Sequence, residues 1–331
     1  MRNLVSPGVM TILLLSANVS AQQVDGQVVG AGPPTVNSTA TAVVSGDSTP
    51  ASAPSQGGDQ PANTTEALQK ATQNPVADLI SVPLQDNSNF AIGPNNRTQN
   101  VLNIQPVIPS HLTPNWNLIT RIIQPIVWQP YSNSNSGGDY GFGDMNPTFF
   151  FSPANPGKLI WGVGPAFVFP TATDPSLGQG KWSIGPSFVA LAQPGHWTLG
   201  ALVNNVWSFA GSSDRASVNQ MLFQYFINYN LSKGWYLTFQ PIITANWAAS
   251  SAKDVWTVPF GGGVGRIMKL GFQPVNISAQ VYANAVYPTG TSPWGIRLQI
   301  AFLFPQLTPK EQMLLMEEKL KELQQQQGLK N

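Results

Sequence analysis

Twelve long segments in which apolar side chains alternate with other side chains fill residues 79–304, and this pattern limits the possible folds most strongly. The last segment, 294–304, shows the alternation clearly. Its even positions are Trp, Ile, Leu, Ile, Phe and Phe, and its odd positions are Gly, Arg, Gln, Ala and Leu. A two-residue period puts these sets on opposite faces of a β-strand. Alone, this segment fits a strand that faces a soluble core or one that faces lipid.

The lengths of the segments and of their connections separate these alternatives. Each segment has about 11 to 15 residues, whereas strands of soluble proteins usually have about 5–6, and a tilted membrane crossing needs about 9–11. Short turns follow the even segments, and longer Gly-, Ser- and Asp-rich loops often follow the odd ones, as in transmembrane barrels. We therefore predict an all-β fold, a membrane-spanning antiparallel up-and-down β-barrel of about 12 strands. The predicted strands are 79–91, 98–109, 116–130, 140–152, 158–170, 181–193, 197–210, 217–230, 235–248, 255–268, 275–288 and 293–304.

The composition agrees with a lipid-facing surface. Only 9% of the 331 residues are charged, against about 25% in soluble domains. No apolar run of about 18 residues occurs beyond the N-terminus, which argues against membrane-spanning helices. The net charge of +1 gives no support for nucleic-acid binding, and the chain has no cysteine.

The tryptophans add a second argument for a membrane barrel. All ten lie within a few residues of a predicted strand end, where indole rings would form belts at the two membrane interfaces. The short-turn side holds Trp116, Trp161, Trp197 and Trp235, and the long-loop side holds Trp128, Trp182, Trp207, Trp247, Trp256 and Trp294.

The segments outside the barrel predict an envelope protein of a Gram-negative bacterium. Residues 1–21 have the pattern of a signal peptide, with cleavage after Ala21. Residues 22–62 form a Ser-, Thr-, Pro- and Gly-rich spacer that cannot bury enough surface to fold. We predict a short periplasmic helix at 63–74 and a periplasmic C-terminal helix at 308–327, which either binds a periplasmic partner or is a solvated tail.

The inward positions of the predicted strands are rich in amide and hydroxyl groups, and charge is sparse. Asp144 and Arg297 both fall on the inner face, where they could form an ion pair. The register around Arg121 is open, because one register turns this side chain towards lipid. The predicted lumen-lining residues are Asn103, Gln105, Asp144, Asn146, Gln224, Asn228, Gln240, Thr244, Asn246, Gln280, Asn284, Arg297 and Gln299.

A Gln-Pro pair recurs in the middle of three predicted strands. The copies are 105–106, 124–125 and 240–241. Proline removes a donor from the β-ladder, so we expect bulges near such positions. The Gly-rich stretch 261–265 lacks a following helix and therefore does not match a nucleotide-binding loop.

Three stretches of the chain resemble a known family. They are 73–85, 100–106 and 141–153. These segments are similar to the bacterial outer-membrane proteins often labelled neuromedin U, a group related to the transporter family of the MetA pathway of phenol degradation. The resemblance covers about residues 73–304 and implies an outer-membrane β-barrel with a transport role.

Transport is the function that these patterns favour. An enzyme would need a nucleophile beside a histidine, yet His111 and His196 both fall in predicted short turns. We expect no catalytic residue, no metal and no cofactor. We predict passive transport of small neutral or aromatic solutes. The alternative is a structural or envelope-anchoring barrel with a closed lumen. The expected partners are outer-membrane lipid and, during biogenesis, the barrel-assembly machinery.

Overall fold

The computed structural model describes residues 65–132 and 134–305. The predicted signal peptide, the spacer and the 308–327 helix lie outside these residues. The first helix, predicted over 63–74, is described as α1, Thr65–Thr72. No helix in the described part of the chain is long and apolar enough to cross a membrane.

The β segments are β1 Leu79–Ile92, β2 Arg97–Ile104, β3 Val107–Thr113, β4 Trp116–Pro130, β5 Gly138–Phe142, β6 Asn146–Pro153, β7 Leu159–Val168, β8 Lys181–Ala192, β9 Trp197–Gly211, β10 Asn219–Asn230, β11 Trp235–Phe239, β12 Ile242–Asn246, β13 Trp256–Leu270, β14 Gln273–Val286 and β15 Trp294–Pro305.

These segments form one closed antiparallel barrel of twelve strands. Three pairs of consecutive segments are halves of single strands, because both halves pair with the same neighbour. They are β2 with β3, β5 with β6, and β11 with β12. The barrel closes where β15 pairs with β1, with Leu79 opposite Pro305 and Phe90 opposite Trp294. The predicted fold class and the predicted pairing of 294–304 with 79–91 are therefore confirmed.

The connections differ between the two ends of the barrel. At one end, which we call the short-turn end, five turns of two to five residues join the strands. The opposite, long-loop end carries six connections of four to twelve residues, of which 169–180 is the longest. Segment 65–78 precedes β1 and therefore enters the barrel from the short-turn end.

The outer face of the barrel is mostly apolar, and its polar exceptions include Arg266 and the hydrogen-bonded group of Asp86, Ser88 and Asn100. On this face the ten tryptophans lie near strand ends, and neighbouring rings touch. The ring centroids of Trp116 and Trp161 are 5.8 Å apart, and those of Trp247 and Trp256 are 5.2 Å apart. Between the ends, outward side chains such as Phe188 at 45% exposure leave apolar surface uncovered. A surface of this kind is suited to lipid rather than to water.

Two of the three Gln-Pro pairs interrupt their strands, whereas Gln124-Pro125 lies within the continuous strand β4. At Gln105-Pro106 and Gln240-Pro241 the strand is interrupted, but its register is unchanged. Thus Ile227 lies opposite Phe239 and Gln224 lies opposite Ile242, with equal spacing on both strands. The expected bulge is therefore wrong at these two sites, because the missing donor opens the ladder without adding a residue.

A bulge does occur between β5 and β6. Ile126 lies opposite Phe142 and Ile123 lies opposite Asn146, so the three residues 143–145 face the two residues 124–125 of β4. The extra residue belongs to the stretch 143–145, which contains Asp144. This places the Asp144 side chain inside the barrel.

Candidate functional site in the barrel interior

The strand register turns ten of the thirteen predicted lumen-lining residues towards the inside of the barrel. Gln105, Asp144 and Gln240 lie at strand interruptions and bond to groups of the interior. Arg297 lies opposite Asn87 on β1 and opposite Gln280 on β14, and all three side chains share the inner face. Whether these side chains line a conducting path stays a prediction. The inward residues in this group are Asn103, Gln105, Asp144, Asn146, Gln224, Asn228, Gln240, Thr244, Asn246, Gln280, Asn284, Arg297 and Gln299.

The interior at the short-turn end is apolar. A cluster of buried side chains reaches across the strands from β4 to β10, and Val76 from the segment before β1 packs into it. Gly162 makes room for Val76, because a Cβ there would lie 3.0 Å from Cγ1 of Val76. The buried members of this apolar cluster are Val76, Ile119, Phe150, Val189, Leu191, Leu202 and Phe226.

Segment 65–78 covers this apolar end and is held there by amide side chains. The Gln69 side-chain amide donates to the Trp235 carbonyl at 3.0 Å, and the Gln73 amide donates to Asn230 Oδ1 at 2.8 Å. From the short turn after β8, Gln193 donates to the Lys70 carbonyl at 2.8 Å. Leu68 of α1 packs against wall residues of the same end. This end of the interior is thus filled by the chain's own N-terminal segment.

At the long-loop end, connection 169–180 folds into the barrel. The Asp144 carboxylate accepts hydrogen bonds from the backbone amides of Ala172, at 3.1 Å, and Gln179. Leu177, which is fully buried, packs against the inward side chains of Val101 and Val127. The ion pair expected between Asp144 and Arg297 is therefore wrong, since loop amides occupy the Asp144 oxygens.

Arg297 makes its contacts within the middle of the interior. Its Nε donates to Asn87 Oδ1 at 3.1 Å, and its Nη1 donates to the Gln240 carbonyl at 3.1 Å. The guanidinium also lies over the Tyr282 ring, 4.8 Å from the centroid. The Gln240 side chain in turn donates to Asn228 Oδ1 at 3.1 Å.

Arg121 also points inwards, which resolves its register. It lies opposite Val107 on β3 and Thr148 on β6, and both of these side chains face the interior. Its Nη2 donates to Gln105 Oε1 at 3.0 Å. Both inward arginines therefore contact the glutamine of a Gln-Pro strand break, a relation that the repeat in the sequence could have suggested.

The charges of the inner face do not balance. Within residues 65–132 and 134–305, the inward carboxylates of the wall are Asp139 and Asp144 at the long-loop end. Asp139 accepts hydrogen bonds from Tyr131 and Ser176. Arg121 and Arg297 have no carboxylate partner in the described part of the chain. Both arginines are only partly buried, so they keep accessible surface inside the barrel.

The histidines lie away from this region. His111 Nε2 is 3.5 Å from Asp78, and its Nδ1 is 2.9 Å from Asn117 Oδ1, at the short-turn end. His196 contacts the Tyr229 ring. Among the described residues, no three His, Asp or Glu side chains are grouped as metal ligands. The Gly-rich stretch provides space instead, since Gly265 lies against the Tyr236 ring.

Comparisons with known proteins agree with the barrel architecture. No protein-family model matches the chain, and no curated protein matches it. The structure is similar to the COG4313 outer membrane channel from Pseudomonas putida F1, with a TM-score of 0.56 and 16% identity over 70% of this chain and 97% of that chain. That likeness shows a shared fold.

Two further barrels are more distant. Outer membrane phospholipase A from Escherichia coli has a TM-score of 0.40 and 14% identity, covering 69% of this chain and 97% of that chain. The CymD monoaromatic hydrocarbon channel has a TM-score of 0.40 and 8% identity, covering 72% and 93%.

Proposed function

We propose that this chain is an outer-membrane barrel of a Gram-negative bacterium that passively transports small neutral or aromatic solutes and is not an enzyme. The observation that carries the proposal is the middle of the interior. There, partly accessible amides and arginines face inwards, while the outer face of β15 in the same region is apolar, with Ile296, Leu298 and Ile300. The resemblance of segments 73–85, 100–106 and 141–153 to outer-membrane transporters supports the same function.

A structural or envelope-anchoring barrel is the second candidate, and one observation favours it. Segment 65–78 fills the short-turn end and bonds to the wall through Gln69 and Gln73. A barrel that stays closed in this way would not conduct. The 308–327 helix would then serve as the periplasmic contact, which a pull-down with and without residues 308–331 tests.

Solute flux separates the two candidates. The full-length protein should be purified from outer membranes, shown to be folded by its heat-dependent shift on SDS gels, and placed in liposomes. Transport predicts that neutral and aromatic solutes enter the liposomes faster than they enter protein-free controls. A folded barrel with no flux for any solute would contradict transport and favour the anchoring role.

A further inference from the structure

We propose that Arg297, together with Gln240 and Asn228, forms an anion-binding site for the carboxylate of a small organic acid with an apolar or aromatic body. The inference rests on the proposed transport function and narrows its substrate class from neutral or aromatic solutes to those that carry a carboxylate. The first observation is unused bonding capacity at Arg297. Of its five N–H groups, the one on Nε and one of the two on Nη1 have partners, and Nη2 has no hydrogen-bond partner among the described residues.

The second observation is a buried donor without a partner on Asn228, which is linked to Arg297 through Gln240. Asn228 is fully buried, and its Nδ2 makes no hydrogen bond in the described part of the chain. Its Oδ1 accepts from Gln240, whose carbonyl accepts from Arg297. Unpaired buried donors are costly, so an acceptor that reached Asn228 Nδ2, with the Gln240 side chain still bonded to Asn228 Oδ1, would be favoured here. A carboxylate has only acceptors, and its two oxygens match the planar guanidinium.

The electrostatics of the interior select for an anion. Arg121 adds a second positive charge on a different part of the inner wall, at the other Gln-Pro break. No carboxylate of the described residues neutralises either arginine, and the two inward aspartates are occupied at the long-loop end. Fixed positive charge in a narrow interior raises the local concentration of anions and excludes cations.

The apolar part of the ligand has partners beside the same site. Phe226 lies on the inner face of β10, two residues from Asn228, and belongs to the apolar cluster. Ile242 is inward on β12, two residues from Gln240, and is partly accessible. A carboxylate at Arg297 would therefore leave a ring or short alkyl chain against apolar side chains.

The test uses benzoate and benzyl alcohol, which differ mainly in charge. Calorimetric titration of the folded, detergent-solubilised full chain should show benzoate binding at least about tenfold tighter than benzyl alcohol, as expected for a charge-assisted hydrogen-bonded pair. The Arg297→Gln variant should remove this preference. The Arg297→Lys variant keeps the charge but loses the planar fork, so it should retain only part of the preference. Arg266→Gln, which changes an outward arginine beside Trp235, is the matched control and should behave as the unmodified protein.

Ion currents in planar bilayers provide the second measurement. Under a KCl gradient, the reversal potential should indicate selectivity for chloride, and Arg297→Gln combined with Arg121→Gln should abolish the selectivity. Equal binding of both probes by a folded protein, or benzoate binding unchanged in Arg297→Gln, would overturn the inference. Benzoate binding that depends on Arg297 without flux of either probe would instead overturn the transport function and leave the site intact.

Discussion

Two halves of the inner wall, one around β8 and β9 and the other around β15 and β1, show the same two-residue alternation but have opposite chemistry. On β8 and β9 the inward side chains include Val189, Leu191 and Leu202, which are at most 3% exposed. On β15 and β1 they include Arg297 and Asn87, which keep contact with the interior space. The apolar half needs a cover and obtains it from segment 65–78. Segment 65–78 also covers the short-turn end of β15, where Leu68 packs with Ala301 and Leu303. Arg297 and Asn87 lie further along their strands and are partly accessible, which leaves them available to a solute.

A carboxylate introduced into each half should give the largest difference in the free energy of unfolding. Val189→Asp puts an unpaired carboxylate into the apolar cluster, and we expect a loss of about 3 kcal/mol or more in the free energy of unfolding. Gln299→Asp puts the same group in the polar half, two residues from Arg297 on the same face. It should be tolerated. The heat-dependent gel shift in increasing urea measures both, and equal effects would show that the halves do not differ.

Truncation of one leucine tests the covered half by cavity formation. Leu191 is 1% exposed inside the barrel, whereas Leu199 on the neighbouring strand is outward and 40% exposed. Leu191→Ala should cost about 2–5 kcal/mol of unfolding free energy. Leu199→Ala, which leaves no internal cavity, should cost clearly less. Urea denaturation of both variants in the same detergent compares them, and a reversed order would contradict the assignment of faces.

The cover itself should loosen when its amide contacts are removed. Gln73→Ala leaves the Asn230 side chain without its buried partner, and Gln69→Ala removes the bond to the Trp235 carbonyl. Each change should weaken the docking of segment 65–78 by about 1 kcal/mol. Limited proteolysis should then cut this segment faster, with the barrel intact. Lys70→Ala is the control, because the bond from Gln193 uses the Lys70 backbone carbonyl.

Acid should affect the loops and leave the difference between the halves unchanged. Hydrogen bonds from the Thr289 backbone and then from its hydroxyl lower the pKa of Asp254 at the long-loop end. A lowered folded-state pKa means that this link is stabilising above the ordinary aspartate range and is lost as the pH falls through the lowered value. Proteolysis of loop 287–293 should therefore accelerate only in acid. Asp254→Asn should remove that pH dependence. An acid-induced change in the inner wall would contradict the prediction that acid affects only the loops.

The sequence alone predicts the polar half better than the apolar half. On β15 the two faces differ in character, so alternation assigns them. On β8, inward Val189 and Leu191 alternate with outward Phe188 and Ala190, and both faces are apolar. An inner face that is apolar in a barrel signals that part of the chain covers it, but it does not identify Val76 as the residue that does so.

The inward position of loop 169–180 could not be predicted from sequence patterns either. Its inward position depends on the bulge at 143–145, which turns Asp144 towards two loop amides. Arg215 from another loop fixes it further by donating to the Pro175 carbonyl at 2.7 Å. Contacts of this kind join residues that are distant in sequence and leave no periodic signal. For the same reason, the expected pairing of Asp144 with Arg297 did not follow from their shared face.

The closure of β15 onto β1 has a consequence for the order of assembly. The hydrogen bond from Arg297 to Asn87 joins residues 210 positions apart, and contacts of such long range form late because most of the chain must first be arranged. Until then, β1 and β15 both present unpaired edges. Arg297 acquires its neighbour on β1 only when the last seam closes, so a barrel arrested before closure would hold every strand and still lack the complete interior site.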